Sequence, residues 1–247
     1  MYISILKLSL HFLANLYRNY RSILKWPAIL CLIAVISETI FYLPHGSAPA
    51  SLTAQYMAGF YTIVLLLLAY THVSLALPKL ALEGVVMSQP RRKDVLAQCG
   101  RVITLTLTSA AFVAVTVLLG MGTIRTPIGF PLTFCLILAV SGVIFALFIP
   151  LAGRAIGKTD HSLLAGIQIM KRTPFLMIGL ALTLALANNF LAIPMSLLAL
   201  LTVALPDEIA LVLHILLYNL TIGCSTILFL AVTTAAYQQL CLRNRVI

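Results

Sequence analysis

The chain has 247 residues, of which 62% are hydrophobic and 9% charged, with a mean hydropathy of +1.08. A composition this apolar leaves too little polar surface to cover a soluble globule, so a water-soluble protein is excluded. The net charge of +10 is spread over several segments between apolar runs, which favours anionic membrane phospholipids over nucleic acid as its counterpart.

Residues 1–25 precede the first long apolar run and have helical periodicity. Six polar residues recur at steps of three or four and form one stripe of an α-helix: Lys7, His11, Asn15, Arg18, Ser22 and Lys25. We therefore expect an amphipathic elbow helix in the cytoplasmic interface that leads into the first span at Trp26. It is either a plain anchor or an element that senses curvature or docks a partner.

Six apolar segments are each long enough, at 1.5 Å per residue, to cross about 30 Å of hydrocarbon. They are 26–43, 55–78, 102–120, 130–150, 175–194 and 208–237. The sequence thus predicts an all-α polytopic fold with one six-span membrane domain, 26–237, and a cytoplasmic tail, 238–247. The triplet Ala48-Pro49-Ala50 resembles a signal-peptidase site, but the preceding apolar run is too long and contains Glu38, so we expect no cleavage.

The basic residues are distributed asymmetrically about these spans. Fifteen of the sixteen lysines and arginines lie on one side, and only Arg125 lies on the other. Because short loops rich in Lys and Arg stay in the cytoplasm, both termini are expected there. A second interfacial helix is predicted over 159–171, with its apolar side formed by Leu163, Leu164, Ile167 and Met170.

Some charged residues on the cytoplasmic side are candidates for contact with a partner protein or with anionic lipid. They are Glu83, Arg91, Arg92, Lys93, Lys171 and Arg172. The alternative is a solvated basic face that only sets the topology.

The sequence lacks the patterns of metal, redox or catalytic chemistry. None of the five cysteines falls in an exterior loop, and no Cys/His pair has ligand spacing, so neither a disulfide nor a metal site is expected. There is no HExxH, no GxSxG and no pair of intramembrane aspartates. We expect no catalytic residues, no cofactor and no enzymatic activity.

Polar side chains within the spans are the remaining functional candidates, because burying an ionised group in hydrocarbon costs at least a few kcal/mol unless it is paired. Helical rise places Glu38, Asn188, Asn189 and His214 in the outer half of the membrane, with Asn219 deeper. If these side chains face one another, they form a polar pocket suited to proton coupling or to capture of a polar headgroup. The alternative is interhelical hydrogen bonding worth about 0.6 kcal/mol per contact.

Short similarities to one family extend over nearly the whole chain. They are 12–23 (FLANLYRNYRSI), 162–166 (SLLAG) and 170–172 (MKR) after Pro150, 205–209 (LPDEI), 216–220 (LLYNL) and 235–240 (AAYQQL). In these and in its six-span layout the chain resembles the YciC-type family of uncharacterised bacterial inner-membrane proteins, relatives of the membrane domains fused to glycerophosphodiester phosphodiesterases. The resemblance implies a multi-pass inner-membrane protein with an accessory or structural role in membrane or envelope lipid homeostasis.

A second resemblance concerns the connection between the second and third spans. Glu83-Gly84, Ser88, Pro90 and Arg91 look like the acidic-glycine and proline-arginine features of a coupling helix. In these residues and in its elbow helix the chain is similar to six-span permease subunits of ABC-type exporters. That resemblance implies that 83–93 docks a separate ATPase and that the spans form half of a dimeric pathway. The sequence leaves open whether the partner is another protein or a second copy of the chain.

Overall fold

The computed structural model of the protein describes residues 1–42, 52–87, 91–123, 129–158, 163–201 and 205–243. Within these ranges the chain is helical and contains no β-strand. Several features named above lie outside them: Leu43, the triplet Ala48-Pro49-Ala50, Ser88, Pro90 and Arg125.

Nine α-helices follow one another in the described part of the chain. They are α1 (Tyr2–Arg18), α2 (Tyr20–Ile23), α3 (Lys25–Tyr42), α4 (Leu52–Glu83), α5 (Arg92–Thr123), α6 (Gly129–Ala155), α7 (Leu163–Arg172), α8 (Pro174–Leu201) and α9 (Asp207–Tyr237). A π-helix, Gln238–Arg243, continues α9. Because Leu240 in this π-helix is fully buried, the first part of the predicted cytoplasmic tail is packed against the bundle.

Five of these helices contain a segment long and apolar enough to cross a membrane, so the chain is an all-α protein of the membrane type. The segments, found among the described residues, are Gly59–Glu83, Arg92–Leu118, Pro131–Ala155, Pro174–Leu198 and Asp207–Leu242. The helix over the first predicted span, α3, has 18 residues and is not among the five.

Three prolines that were expected to end spans lie inside helices instead. Helix α4 continues past Pro78, α6 past Pro150 and α8 past Pro194. Helix α5 begins at Arg92, well before the predicted start at Val102. A proline removes one backbone hydrogen bond, but membrane helices tolerate it because neighbouring helices and side chains satisfy the freed group. The helices are therefore longer than the predicted spans, and the limits of the spans themselves stay predictions.

Buried residues concentrate at one end of the bundle. Helices α3, α5 and α8 begin there, and α4, α6 and α9 end there; we call it the basic end because it carries the connections rich in Lys and Arg. Residues 71–78, 145–153 and 230–237 are continuously buried near it. The largest apolar cluster joins α1, α6, α7, α8 and α9, with Ile5, Phe145, Met177 and Tyr237 among its members.

Helix α1 packs across the basic end of the bundle. Its buried face consists of Ile5, Ser9, Phe12 and Leu16, which contact α9 and α4, while the Tyr2 hydroxyl is hydrogen-bonded to Thr183 of α8. Much of the predicted polar stripe is exposed on the other side: Lys7, His11, Arg18, Ser22 and Lys25. The predicted elbow helix is divided at Asn19, after which α2 leads into α3.

Helix α7 contacts the bundle through small residues rather than through the exposed members of its predicted apolar side. Leu164 and Ile167 are exposed, whereas Ala165 and Gly166 are buried against α6. A Cβ atom on Gly166 would lie 2.8 Å from the Cα atom of Leu147, so the two backbones are almost in contact. Small residues permit such close approach between helices, which is why they form the interface.

Helix α3 buries a few of its described side chains, among them Ala34 and Val35. It packs mainly against α4 and less extensively against α9, and none of its described residues belongs to the three buried apolar clusters. Its anchor is the preceding α2, where Ile23 is fully buried beside Val73 and Leu77 of α4.

Candidate functional site

The structure brings together two of the polar residues within the spans. Asn219 of α9 donates a hydrogen bond from Nδ2 to Oε2 of Glu38 in α3, at 3.1 Å. The same amide nitrogen donates to the carbonyl of Ile215 at 2.9 Å. Asn219 is only 4% exposed, and its Oδ1 atom is buried with no hydrogen-bond partner in the described part of the chain. Leaving a buried acceptor unpaired costs about 1–3 kcal/mol, so this oxygen marks a place where a bound group could donate.

A cavity of about 830 Å³ lies beside this pair. Helices α3, α4 and α9 form most of its wall. Helix α5 contributes Val102 and Thr106, α6 contributes Phe148 and α8 contributes Asn188. The wall is mainly aliphatic, and its described polar side chains are Tyr70, Thr106, Asn188, Asn219, Ser225 and Thr226. No charged residue or histidine is found among the described lining residues.

Two further polar groups in this wall lack hydrogen-bond partners among the residues that the structure describes. They are the Oδ1 atom of Asn188 and the hydroxyl of Tyr70. Ligand pockets typically measure about 300–1,000 Å³ and combine an apolar wall with a few polar groups that fix orientation. The cavity therefore has the size and lining of a site for an amphipathic molecule.

Two of the five residues predicted to share a polar pocket lie elsewhere. Asn189 and His214 are exposed, and neither lines the cavity. Consecutive residues of an α-helix point about 100° apart, so Asn188 and Asn189 do not face the same way. The structure thus gathers Glu38, Asn188 and Asn219 at the cavity.

The charged candidates at the basic end are all exposed: Glu83, Arg91, Arg92, Lys93, Lys171 and Arg172. Glu83 is the last residue of α4, and Gly84 has φ +70, a left-handed conformation that glycine adopts without strain. Residues 84–87 are not helical. The described part of 83–93 therefore lacks the short helix that the resemblance to a coupling helix implies.

Some cavity residues were overlooked in the sequence. Tyr70 was counted as part of an apolar span, and the stretch Gly223-Cys224-Ser225-Thr226, which lines the cavity, was not singled out. A run of small and weakly polar residues within an otherwise aliphatic span was the available signal.

No cluster of three or more His, Cys, Asp or Glu side chains that could hold a metal ion occurs among the described residues, and the cysteines are free. Comparison of the chain with protein-family models, with curated proteins and with solved structures finds no match.

Proposed function

We propose that this chain is a multi-pass protein of the bacterial inner membrane that binds an amphipathic lipid in the cavity between α3, α4 and α9. The observation that carries the proposal is the cavity itself, a space of about 830 Å³ with an aliphatic wall and a part-buried Glu38–Asn219 hydrogen bond beside it. The role is accessory or structural, in membrane or envelope lipid homeostasis, in agreement with the resemblance to the YciC-type family.

The polar groups, rather than the aliphatic wall, decide what binds. A lipid tail gains little by moving from the bilayer into an apolar cavity, because both surroundings are equally apolar. Hydrogen bonds to the unpaired oxygens of Asn188 and Asn219 are not available to the same lipid in the hydrocarbon layer. Selectivity among membrane lipids is therefore expected to follow the headgroup.

The test is purification in a mild detergent followed by native mass spectrometry for bound phospholipid. Gly223 lines the cavity, and a Cβ atom there meets nothing within 4 Å, so Gly223→Trp places a bulky side chain in this space. Gly100→Trp is the matched control, since Gly100 is equally unobstructed and lies outside the cavity. Lipid retained by the wild type and by Gly100→Trp, but lost from Gly223→Trp, supports the proposal. Equal retention by all three contradicts it.

We also propose that α3 is a sixth span and that the basic end faces the cytoplasm. The excess of Lys and Arg at that end supports the orientation. A fluorescent protein that folds only in the cytoplasm should then fluoresce when fused before Met1 and when fused after Ile247. With five spans the termini lie on opposite sides, and only one of the two fusions fluoresces.

A permease subunit of an ABC-type exporter, driven by a separate ATPase, is the alternative that the same preparation tests. Glu83 and Arg91 are exposed at the basic end, as such docking requires, although 84–87 form no helix. A stoichiometric ATPase that is recovered with the wild type and lost on Glu83→Ala or Arg91→Ala would replace the lipid-binding proposal.

A further inference from the structure

The polar groups around the cavity include two unpaired amide oxygens, which accept hydrogen bonds, and the unpaired Tyr70 hydroxyl, which can also donate. Both hydrogens of the Asn219 amide are used, one by the Glu38 carboxylate and one by the Ile215 carbonyl. These partners are acceptors, so they fix which end of the amide is nitrogen and leave Oδ1 as the unpaired atom. Asn188 contributes a second buried, unpaired Oδ1.

The charges near the cavity favour a cationic group. Glu38 lies beside the cavity, and the described lining residues include no lysine, arginine or histidine. The lysine at the start of the same helix, Lys25, is about 20 Å away along the helix axis by helical rise. A carboxylate within a membrane span is costly unless a cation or hydrogen-bond donors compensate it.

We infer that the cavity receives the ammonium group of a primary-amine amphiphile, with Glu38 as the counterion and the side-chain oxygens of Asn188 and Asn219 as acceptors. This inference rests on the proposed lipid-binding function and names the headgroup chemistry that it selects. A primary ammonium has three N–H donors and a positive charge, which suits a carboxyl group hydrogen-bonded to an amide whose own oxygen is unpaired. A quaternary ammonium offers the charge without donors, and an anionic headgroup brings a second negative charge to Glu38.

The inference predicts an order of preference among lipid headgroups, which can be measured. Purified wild-type protein is incubated with dioleoyl phosphatidylethanolamine, phosphatidylcholine or phosphatidylglycerol, or with oleylamine, and the bound fraction is measured by native mass spectrometry. We expect the ethanolamine lipid to be retained best and the glycerol lipid least among the three phospholipids. Oleylamine tests whether the bound amine belongs to a phospholipid. Binding of oleylamine without the ethanolamine lipid identifies a free amphiphilic amine as the ligand. Binding of the ethanolamine lipid without oleylamine identifies a phospholipid headgroup.

Glu38→Gln removes the charge and keeps an oxygen that can accept from Asn219, so the contact between α3 and α9 is preserved. Loss of a hydrogen bond to a charged group should lower amine binding about tenfold or more, whereas binding of the anionic glycerol lipid should not fall, because its repulsion from Glu38 is removed. Glu83→Gln, a neutralised carboxylate outside the cavity, should bind as the wild type does. Asn188→Leu removes an acceptor from another helix and should also reduce the preference for the amine, which keeps the test decisive if Glu38→Gln is unstable.

Two results overturn the inference and are distinguishable from failure of the proposed function. If the wild type retains the three phospholipids equally, or if both Glu38→Gln and Asn188→Leu keep the wild-type preference, the cavity binds lipid without selecting an amine. If no lipid or amine binds at all, the lipid-binding proposal itself fails.

Discussion

Replacing Gly166 with alanine should loosen α7 from α6. The added Cβ atom would lie 2.8 Å from the Cα atom of Leu147, 2.9 Å from the carbonyl oxygen of Ala146 and 3.3 Å from its carbonyl carbon. All three are backbone atoms of a helix and cannot rotate away. Favourable carbon contacts lie at about 3.5–4.0 Å, so the two helices must separate by roughly 0.7 Å or more.

The loss of stability caused by Gly166→Ala is best measured relative to the same substitution at a second glycine. Overpacking of this kind costs about 1–3 kcal/mol, while alanine gains about 0.5–1 kcal/mol over glycine within a helix. Gly100 in α5 has nothing within 4 Å of its Cβ position, so Gly100→Ala keeps the gain without the clash. Since the gain is common to both variants, Gly166→Ala should be less stable than Gly100→Ala by about 1–3 kcal/mol.

The measurement is reversible unfolding in mixed micelles of a mild detergent and sodium dodecyl sulfate, followed by circular dichroism. Free energies of unfolding for the wild type, Gly166→Ala and Gly100→Ala come from the same titration. A difference between the two variants below about 0.5 kcal/mol, the usual limit of additivity for independent sites, would refute backbone contact between α6 and α7.

The same titration tests the docking of α1, because Ile5 is fully buried and Ile3 is 66% exposed on one helix. Ile5→Ala should cost about 2–4 kcal/mol and Ile3→Ala less than about 0.5 kcal/mol; equal costs contradict the docking. At Gly153 an added Cβ would lie 2.6 Å from the Tyr237 ring, so Gly153→Ala should destabilise the protein. Adding Tyr237→Leu to Gly153→Ala should relieve this clash, with a coupling energy between the two changes of about 0.5–3 kcal/mol. Strict additivity of these two changes contradicts the contact. Asn219→Leu should change stability by less than about 1 kcal/mol yet abolish selective lipid retention, and a large loss of stability points instead to a structural role.

Most of the helical layout was predictable because hydrocarbon leaves the backbone few choices. A long apolar segment satisfies its own peptide groups only as a helix, and every predicted span corresponds to one. The ends were less predictable, since Pro78, Pro150 and Pro194 act as stop signals in water and are accommodated within helices here. Neighbouring helices, which a single segment does not reveal, supply the missing contacts.

The rotation of each helix about its own axis was the main unknown at the site. Depth along the span placed Glu38, Asn188, Asn189 and His214 together and Asn219 deeper, and depth alone could not separate Asn188, which lines the cavity, from the exposed Asn189. On α7 the leucine-rich side was the natural choice for burial in water. In a membrane protein the apolar side can face lipid, and Gly166 with its small neighbours forms the helix contact instead.

The position of α3 has a consequence for how the cavity exchanges its contents. This helix forms one wall of the cavity, yet the residues of it that the structure describes contribute nothing to the buried clusters that hold the other helices together. Its fixed point is the α2 elbow, where Ile23 is embedded against α4. The other contacts that hold α3 in place are those with α4, which are extensive, and those with α9. If the proposed lipid enters from the bilayer beside α3, it must separate α3 from α4 and α9, and the apolar clusters at the basic end need not change.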